Sequence, residues 1–162
     1  MKRLSIDDEL HLDRPMDDLH HAAVINVLRT ANLFSAVGAT FLRQYDLTEA
    51  QFNVLLSLKY KERNVTQSDL GERLVVTRAS ITSVLDKLEG KGLVRRDTVE
   101  GNRRIYHVSL TPAGLALINK VEPSYRERVH RVMGGLAESE MRTLIDYLER
   151  VRAELHDEAS HS

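Results

Sequence analysis

Hydroxyl, amide and basic side chains recur between Gln67 and Arg104, in a pattern suited to binding a polyanion. Arginine and lysine bind phosphate, arginine also pairs with guanine O6 and N7, and short hydroxyls bond to bases, phosphates or bridging water. These types point to contacts with double-stranded DNA. The candidate DNA-binding residues are Gln67, Ser68, Thr77, Arg78, Ser80, Thr82, Ser83, Lys87, Arg95, Arg96, Asn102, Arg103 and Arg104.

The distribution of charge supports this interpretation although the total charge does not. The chain has a formal net charge of -1, which is unusual for a nucleic-acid-binding protein. Residues 59–104 hold 11 Lys and Arg against 7 Asp and Glu, a local excess of 4 positive charges. A neutral protein with one basic segment can still contact phosphates there, so the basic middle of the chain is the expected DNA-binding part.

Other chemistries lack the residues they need. The 162-residue chain has no cysteine, which rules out disulfides and thiolate chemistry within it. No phosphate-binding glycine loop, nucleophile elbow or zinc-helix motif occurs, so we predict no enzyme activity and no catalytic residues. The spacing of His20, His21, His107 and His130 is poor for a metal site, and neither a metal nor another cofactor is expected.

Local signals place the candidate residues on a helix-turn-helix followed by a hairpin. Capping patterns and apolar periodicity predict helices over 48–61, 66–74 and 77–90, the last of these stopped by glycines. Extended runs over 93–98 and 104–110 flank a polar, glycine-bearing tip and predict a β-hairpin. In such an arrangement the second helix enters the major groove and the hairpin, or wing, follows the backbone beside it.

Long helices flank this 48–110 lobe. One is predicted over 16–45, with apolar residues on more than one face, which favours burial against a second copy of the chain. Helices over 112–157 follow, beginning at Pro112; Pro123 is expected to kink or break the first of them, and the last covers 138–155. The fold class is therefore mainly α with a small β-hairpin wing, forming one domain over 1–162 with dimerisation helices at both ends.

The ordered set of motifs resembles the MarR family of winged helix-turn-helix transcriptional regulators. The matching stretches are LTEAQFNVLLSL, TQSDLGERL, VTRASITSVLDKLEGKGLVRR and GNRRIYHVSLTPAG. The resemblance implies a triangular homodimer whose two winged lobes bind a pseudo-palindromic operator, with repression relieved by a small, often aromatic or phenolic, ligand. Two positions depart from the family pattern: Asn102 stands where many members carry aspartate, and Ser83 where many carry arginine. We therefore expect an altered base preference near Ser83.

The resemblance also implies an effector crevice between the dimer helices and the winged lobe. Candidates for a phenolic or acyl ligand mix aromatic faces and polar tips on the first long helix: His20, Arg29, Asn32, Phe41 and Tyr45. Two alternatives stay open, a constitutive architectural DNA binder and a winged-helix protein-interaction module. No signal peptide or membrane span is recognised, so we expect a cytoplasmic protein without a membrane partner.

Overall fold

The computed structural model of the chain describes residues 4–61, 65–74, 78–99 and 102–161. The chain divides into two compact units, Met1–Ile118 and Asn119–Ser162. The helical fold with a small antiparallel sheet confirms the fold class predicted from the sequence.

The first unit begins with two helices of very different length. Helix α1, Ile6–Glu9, has a capping box between Ser5 and Asp8 and was not predicted, although this local signal is present in the sequence. Helix α2, Leu19–Leu42, begins after the N-cap residue Asp18 and continues into a 3-10 turn at Arg43–Tyr45. The long first helix predicted from the sequence is therefore confirmed within three residues at each end.

Most of α2 is exposed in a single chain. Its large apolar side chains with at least two-fifths of their surface exposed are Leu19, Val24, Val27, Leu28, Leu33, Phe34 and Val37. Contrary to the sequence-based expectation, the stretch Leu19–Tyr45 is long and apolar enough to cross a membrane by length and composition. Such a stretch is also typical of a helix that is buried when subunits associate, because both environments select apolar residues on several faces.

Three helices build the lobe that carries the candidate DNA-binding residues. They are α3, Glu49–Lys59; α4, Gln67–Arg73; and α5, Arg78–Gly90. Capping boxes start both α3 and α4, through Thr48 with Gln51 and Thr66 with Asp69, as their sequence spacing predicts. The core of the lobe consists of fully buried side chains, among them Phe52, Leu55, Leu70, Ile81, Leu85 and Leu88.

The wing belongs to a three-stranded antiparallel sheet with the order β1-β3-β2. Strands β2, Val94–Val99, and β3, Asn102–Leu110, form the predicted hairpin, with a register irregularity between Thr98 and Val99. Strand β1, Val65–Thr66, pairs with β3 and was not predicted. Two residues are too few to show an alternation of apolar and polar side chains. The pairing also joins positions that are about forty residues apart, so no local sequence pattern predicts this strand.

Helix α6, Pro112–Met133, begins in the first unit and continues into the second, where α7, Glu138–His161, follows it. The capping Thr111 and Pro112 start α6 as predicted, and Gly134 and Gly135 follow its end. Of the kink or break predicted at Pro123, the break does not occur, because the helix continues through this residue. Proline removes one intrahelical hydrogen bond, and the remaining bonds of a 22-residue helix keep it continuous.

Candidate nucleic-acid interface

Helix α5 separates an apolar face from a polar one. Ile81, Leu85 and Leu88 are buried at the i, i+4 and i+7 spacing of one helix face. Thr82, Ser83 and Lys87 are exposed, as the sequence predicts. The short side chains at two of these exposed positions leave the backbone of α5 accessible to a close ligand.

The start of α4 is joined to α5 by a contact between two candidate DNA-binding residues. Gln67 Nε2 donates a 2.7 Å hydrogen bond to Thr82 Oγ1, while Ser68 is exposed at the same end of α4. The backbone N–H of Thr66 bonds to the Asp69 carboxylate at 2.8 Å and, together with the Thr66 hydroxyl, holds the pKa of Asp69 below its ordinary value. The capping carboxylate therefore stays charged, and α4 presents Gln67 and Ser68 from an ordered first turn.

The two neighbouring arginines of β2 lie in different environments. The Arg95 side chain is 69% exposed, and its Nε lies 3.1 Å from both Ser109 Oγ and Asp97 Oδ2. The Arg96 side chain is only 21% exposed. Of the two, Arg95 has the exposure that a phosphate contact requires.

Arg96 joins β2 to the last turns of α5. Its guanidinium donates to Glu89 Oε2 through Nε at 2.9 Å and lies 2.7 Å from Asp86 Oδ1. The hydrogen bonds of Arg96 lower the pKa of Glu89, and those of Glu89 raise the pKa of Arg96. Sequence reasoning identified neither carboxylate as functional, because the contact depends on how the hairpin folds back onto the helix.

A second ionic contact joins the end of α5 to the end of α2. Lys91 Nζ lies 2.9 Å from Asp46 Oδ2 and also donates to the Asp46 carbonyl. Asp46 adopts the left-handed backbone conformation, with φ of 54°. A groove of about 490 Å³ lies here, between the end of α2, the start of α3 and α5, and its charged lining includes Arg43, Glu49, Lys87 and Lys91.

The predicted effector residues are not brought together within one chain. His20 and Tyr45 are 25 positions apart on one helical stretch, about 38 Å at 1.5 Å per residue. Phe41 is buried and packs edge-on against Tyr45, with ring centroids 5.3 Å apart. Arg29 forms an ion pair with Glu9 of α1, whereas His20 and Asn32 are exposed to solvent. None of the five lines the groove beside Lys91.

Several predicted contacts lie outside the described residues. Thr77 does so entirely, and so do the side chains of Arg78, Ser80, Asn102, Arg103 and Arg104. The backbone of α5 begins at Arg78, and that of β3 at Asn102. Among the described residues, no group of three or more His, Cys, Asp or Glu side chains is arranged to hold a metal ion.

Known proteins share this architecture along nearly the whole chain. The MarR family model matches residues 47–106, the helix-turn-helix and most of the wing. The HTH-type transcriptional regulator PecS of Dickeya dadantii is 31% identical over 147 residues, which cover 88% of this chain and 88% of PecS. AbsC, a MarR family transcriptional regulator from Streptomyces coelicolor, superimposes with a TM-score of 0.80 at 25% identity, over 89% of this chain and 99% of AbsC.

The complex of S. aureus MepR with DNA shares the fold, with a TM-score of 0.73 at 23% identity over 80% of this chain and 96% of MepR. The fold and the contacts around α5 define a winged helix-turn-helix protein. Together with the match along almost the full length of PecS, they show that the chain belongs to the MarR family. Its class is accordingly that of HTH-type transcriptional regulators, and it is not an enzyme.

Proposed function

We propose that this protein is a cytoplasmic, homodimeric repressor that binds a pseudo-palindromic operator and is released by a small ligand. The observation that carries the DNA-binding part is the polar face of α5, which displays Thr82, Ser83 and Lys87 beside the hairpin of β2 and β3. A helix of this kind fits the major groove, and a neighbouring hairpin reaches the backbone or the minor groove.

The proposed contacts divide by chemistry. Arg78, Ser83 and the hydroxyls near them read base edges, because they lie on the helix that enters the groove. Gln67 and Ser68 at the start of α4 bind phosphate, as does Lys87. The wing adds Arg95 on β2 and the group Asn102, Arg103 and Arg104. Arg96 is not among the proposed phosphate contacts, because its guanidinium already pairs with two carboxylates.

Dimerisation is supported by the exposed apolar side chains of α2 and α7. On α7, Ile145, Val151 and Leu155 are each more than half exposed in the single chain. So many large apolar side chains exposed along one helix are unusual for a soluble monomer and favour burial in an interface. Two copies related by a two-fold axis would place two α5 helices on one face of a duplex, which is why we propose a pseudo-palindromic site.

The groove beside Lys91 supports the proposal of an anionic effector. Arg43, Lys87 and Lys91 supply positive charge, while Ala39 and Leu47 add apolar surface, which suits a ring or acyl chain that carries a carboxylate or phenolate. An anion there competes with Asp46 for Lys91. A ligand that binds better when this contact is broken shifts the protein away from the DNA-binding arrangement.

The DNA-binding proposal is tested by selection from a pool of random-sequence duplexes. The dimer is expected to enrich a site with two related half-sites about 10 base pairs apart. Its affinity for the enriched site should fall linearly with the logarithm of salt concentration. Equal affinity for all duplexes would support the architectural alternative, and no binding would support a protein-interaction module.

The effector proposal is tested with salicylate and a short acyl carboxylate as probes. Binding should raise the melting temperature and weaken binding to the selected duplex. The Arg43→Gln variant should lose the thermal shift yet still bind DNA, because Arg43 lines the groove and is not among the proposed DNA contacts. A shift of equal size in this variant would place the ligand elsewhere, and no shift with either probe would count against an effector of this class.

A further inference from the structure

A side chain of α5 binds one backbone N–H at the outer edge of the wing sheet. The strand order β1-β3-β2 leaves β2 at an edge, where outward backbone groups have no partner strand. The outward N–H of Arg96 donates to Glu89 Oε1 at 3.2 Å. One carboxylate of α5 therefore binds both the backbone and the guanidinium of the same β2 residue.

The contact between α5 and β2 includes more hydrogen bonds than a single surface ion pair. Glu89 accepts from Arg96 at both carboxylate oxygens, and Asp86 adds a second charge from the preceding turn. Charge-assisted bonds with this fixed geometry limit the rotation of one element relative to the other. By contrast, the Arg95–Asp97 pair lies within β2, and the hydrogen bond of Arg95 to Ser109 reaches only the neighbouring strand β3, not a helix.

We infer that Arg96 is a positioning residue for DNA binding, and that Asp86, Glu89 and Arg96 form a clamp that fixes the wing relative to the recognition helix α5. The inference rests on the proposed DNA-binding function. A duplex has a fixed spacing between adjacent grooves, so a helix and a wing contact it together only when their relative position is held. Arg96 acts through α5 and β2 and does not bind phosphate itself.

Removal of the Glu89 carboxylate gives the sharpest test, because a clamp and a purely electrostatic effect predict opposite changes in DNA affinity. If charge alone mattered, Glu89→Met would strengthen binding, since it removes a negative charge near DNA and frees Arg96 for phosphate. The clamp predicts about tenfold weaker binding to a duplex selected by the wild-type protein. Asp97→Asn is the matched control, because it frees the exposed Arg95, and its binding should stay equal or become tighter.

Two Arg96 variants separate positioning from phosphate contact. Arg96→Lys keeps the positive charge but loses the planar fork, so the clamp predicts a loss close to that of Arg96→Met. In both variants, the slope of log affinity against log salt concentration should stay as in the wild type. Loss of a phosphate contact would instead lower the magnitude of this slope by about 1. Wild-type affinity in Arg96→Lys, together with tighter binding by Glu89→Met, would overturn the inference.

Amide exchange in DNA-free protein keeps the clamp testable even if the proposed function fails. Glu89→Met should accelerate exchange at the Arg96 N–H and leave amides in the core of α3 protected, which also shows that the variant is folded. Unchanged exchange at Arg96 would refute the clamp. Faster exchange with undiminished DNA affinity would refute its role in binding, whereas failure of the wild type to select any duplex would refute the proposed function alone.

Discussion

Arg95 and Arg96 are chemically identical neighbours, and only their surroundings separate their roles. The exposed Arg95 side chain can turn towards a phosphate, whereas Arg96 is held between Asp86 and Glu89. The sequence places both in one basic run and therefore predicts one role for both. Their difference follows from strand alternation, because adjacent residues on β2 point to opposite faces and only one face lies against α5.

The pKa shift of Glu89 gives the clamp a definite pH dependence. Hydrogen bonds from Arg96 lower the pKa of Glu89 below its ordinary value of 4.5. This stabilisation is present above the ordinary pKa and is lost as the pH falls through the lower, folded-state value. The free energy of unfolding should therefore fall less steeply on acidification in Glu89→Met than in the wild type, measured by chemical denaturation from about pH 7 to about pH 3. Parallel profiles for the two proteins would show that Glu89 does not contribute.

Ser83 tests whether α5 reads DNA sequence. The residue is exposed on the polar face of α5, and in the proposed mode of binding a longer donor there would reach the bases. Ser83→Arg should change the enriched half-site towards guanine at one or more positions, because arginine pairs bidentately with guanine O6 and N7.

Asn53→Arg, at an exposed position of α3, is the control for added charge. It should tighten DNA binding without changing the base preference. An identical selected site for Ser83→Arg and the wild type would show that this position does not face the bases.

The start of α6 packs closely against the loop that precedes β2. The Thr111 hydroxyl donates to the Gly92 carbonyl at 2.7 Å, and the Thr111 N–H donates to the Leu93 carbonyl at 3.1 Å. A Cβ at Gly114 would lie 2.0 Å from that Leu93 oxygen, which is backbone and cannot rotate away. Glycine is therefore required at position 114 for the first turn of α6 to lie against this loop.

Gly114→Ala should consequently lower the free energy of unfolding by about 1–3 kcal/mol through overpacking. Gly90→Ala is the control, because no atom lies within 4 Å of a Cβ there and alanine favours the helical conformation. Equilibrium denaturation should show the first variant destabilised and the second equal to or more stable than the wild type. Equal stability of both variants would contradict this packing.

The elements could be predicted where their signals are local. The capping pairs Thr48 with Gln51 and Thr66 with Asp69 were predicted from spacing alone, and so was the end of α5 near Gly90 and Gly92. Strand β1 depends on pairing with β3 far along the chain, and the Lys91–Asp46 contact depends on how α5 approaches α2; neither leaves a pattern in the sequence. The break considered at Pro123 does not occur, because the hydrogen bonds of the rest of the helix outweigh the one that proline removes.

The apolar faces of α2 and α7 are covered in the proposed dimer. Leu28 is 58% exposed in the single chain, so a charge there costs little in the monomer and much in an interface. Leu28→Glu should reduce the sedimenting mass from twice the 18.4 kDa chain to one chain, or shift the equilibrium strongly in that direction. Asn53→Glu, on the exposed side of α3, should remain dimeric. A dimeric Leu28→Glu protein would exclude this part of α2 from the interface.

Methylation interference on the selected duplex tests whether the two α5 helices of one dimer read DNA through the major groove. Methyl groups at guanine N7 lie in that groove and block a helix that enters it. Interference is expected in two stretches about 10 base pairs apart. Binding that persists on fully methylated DNA, or interference confined to one stretch, would contradict the proposed mode of binding.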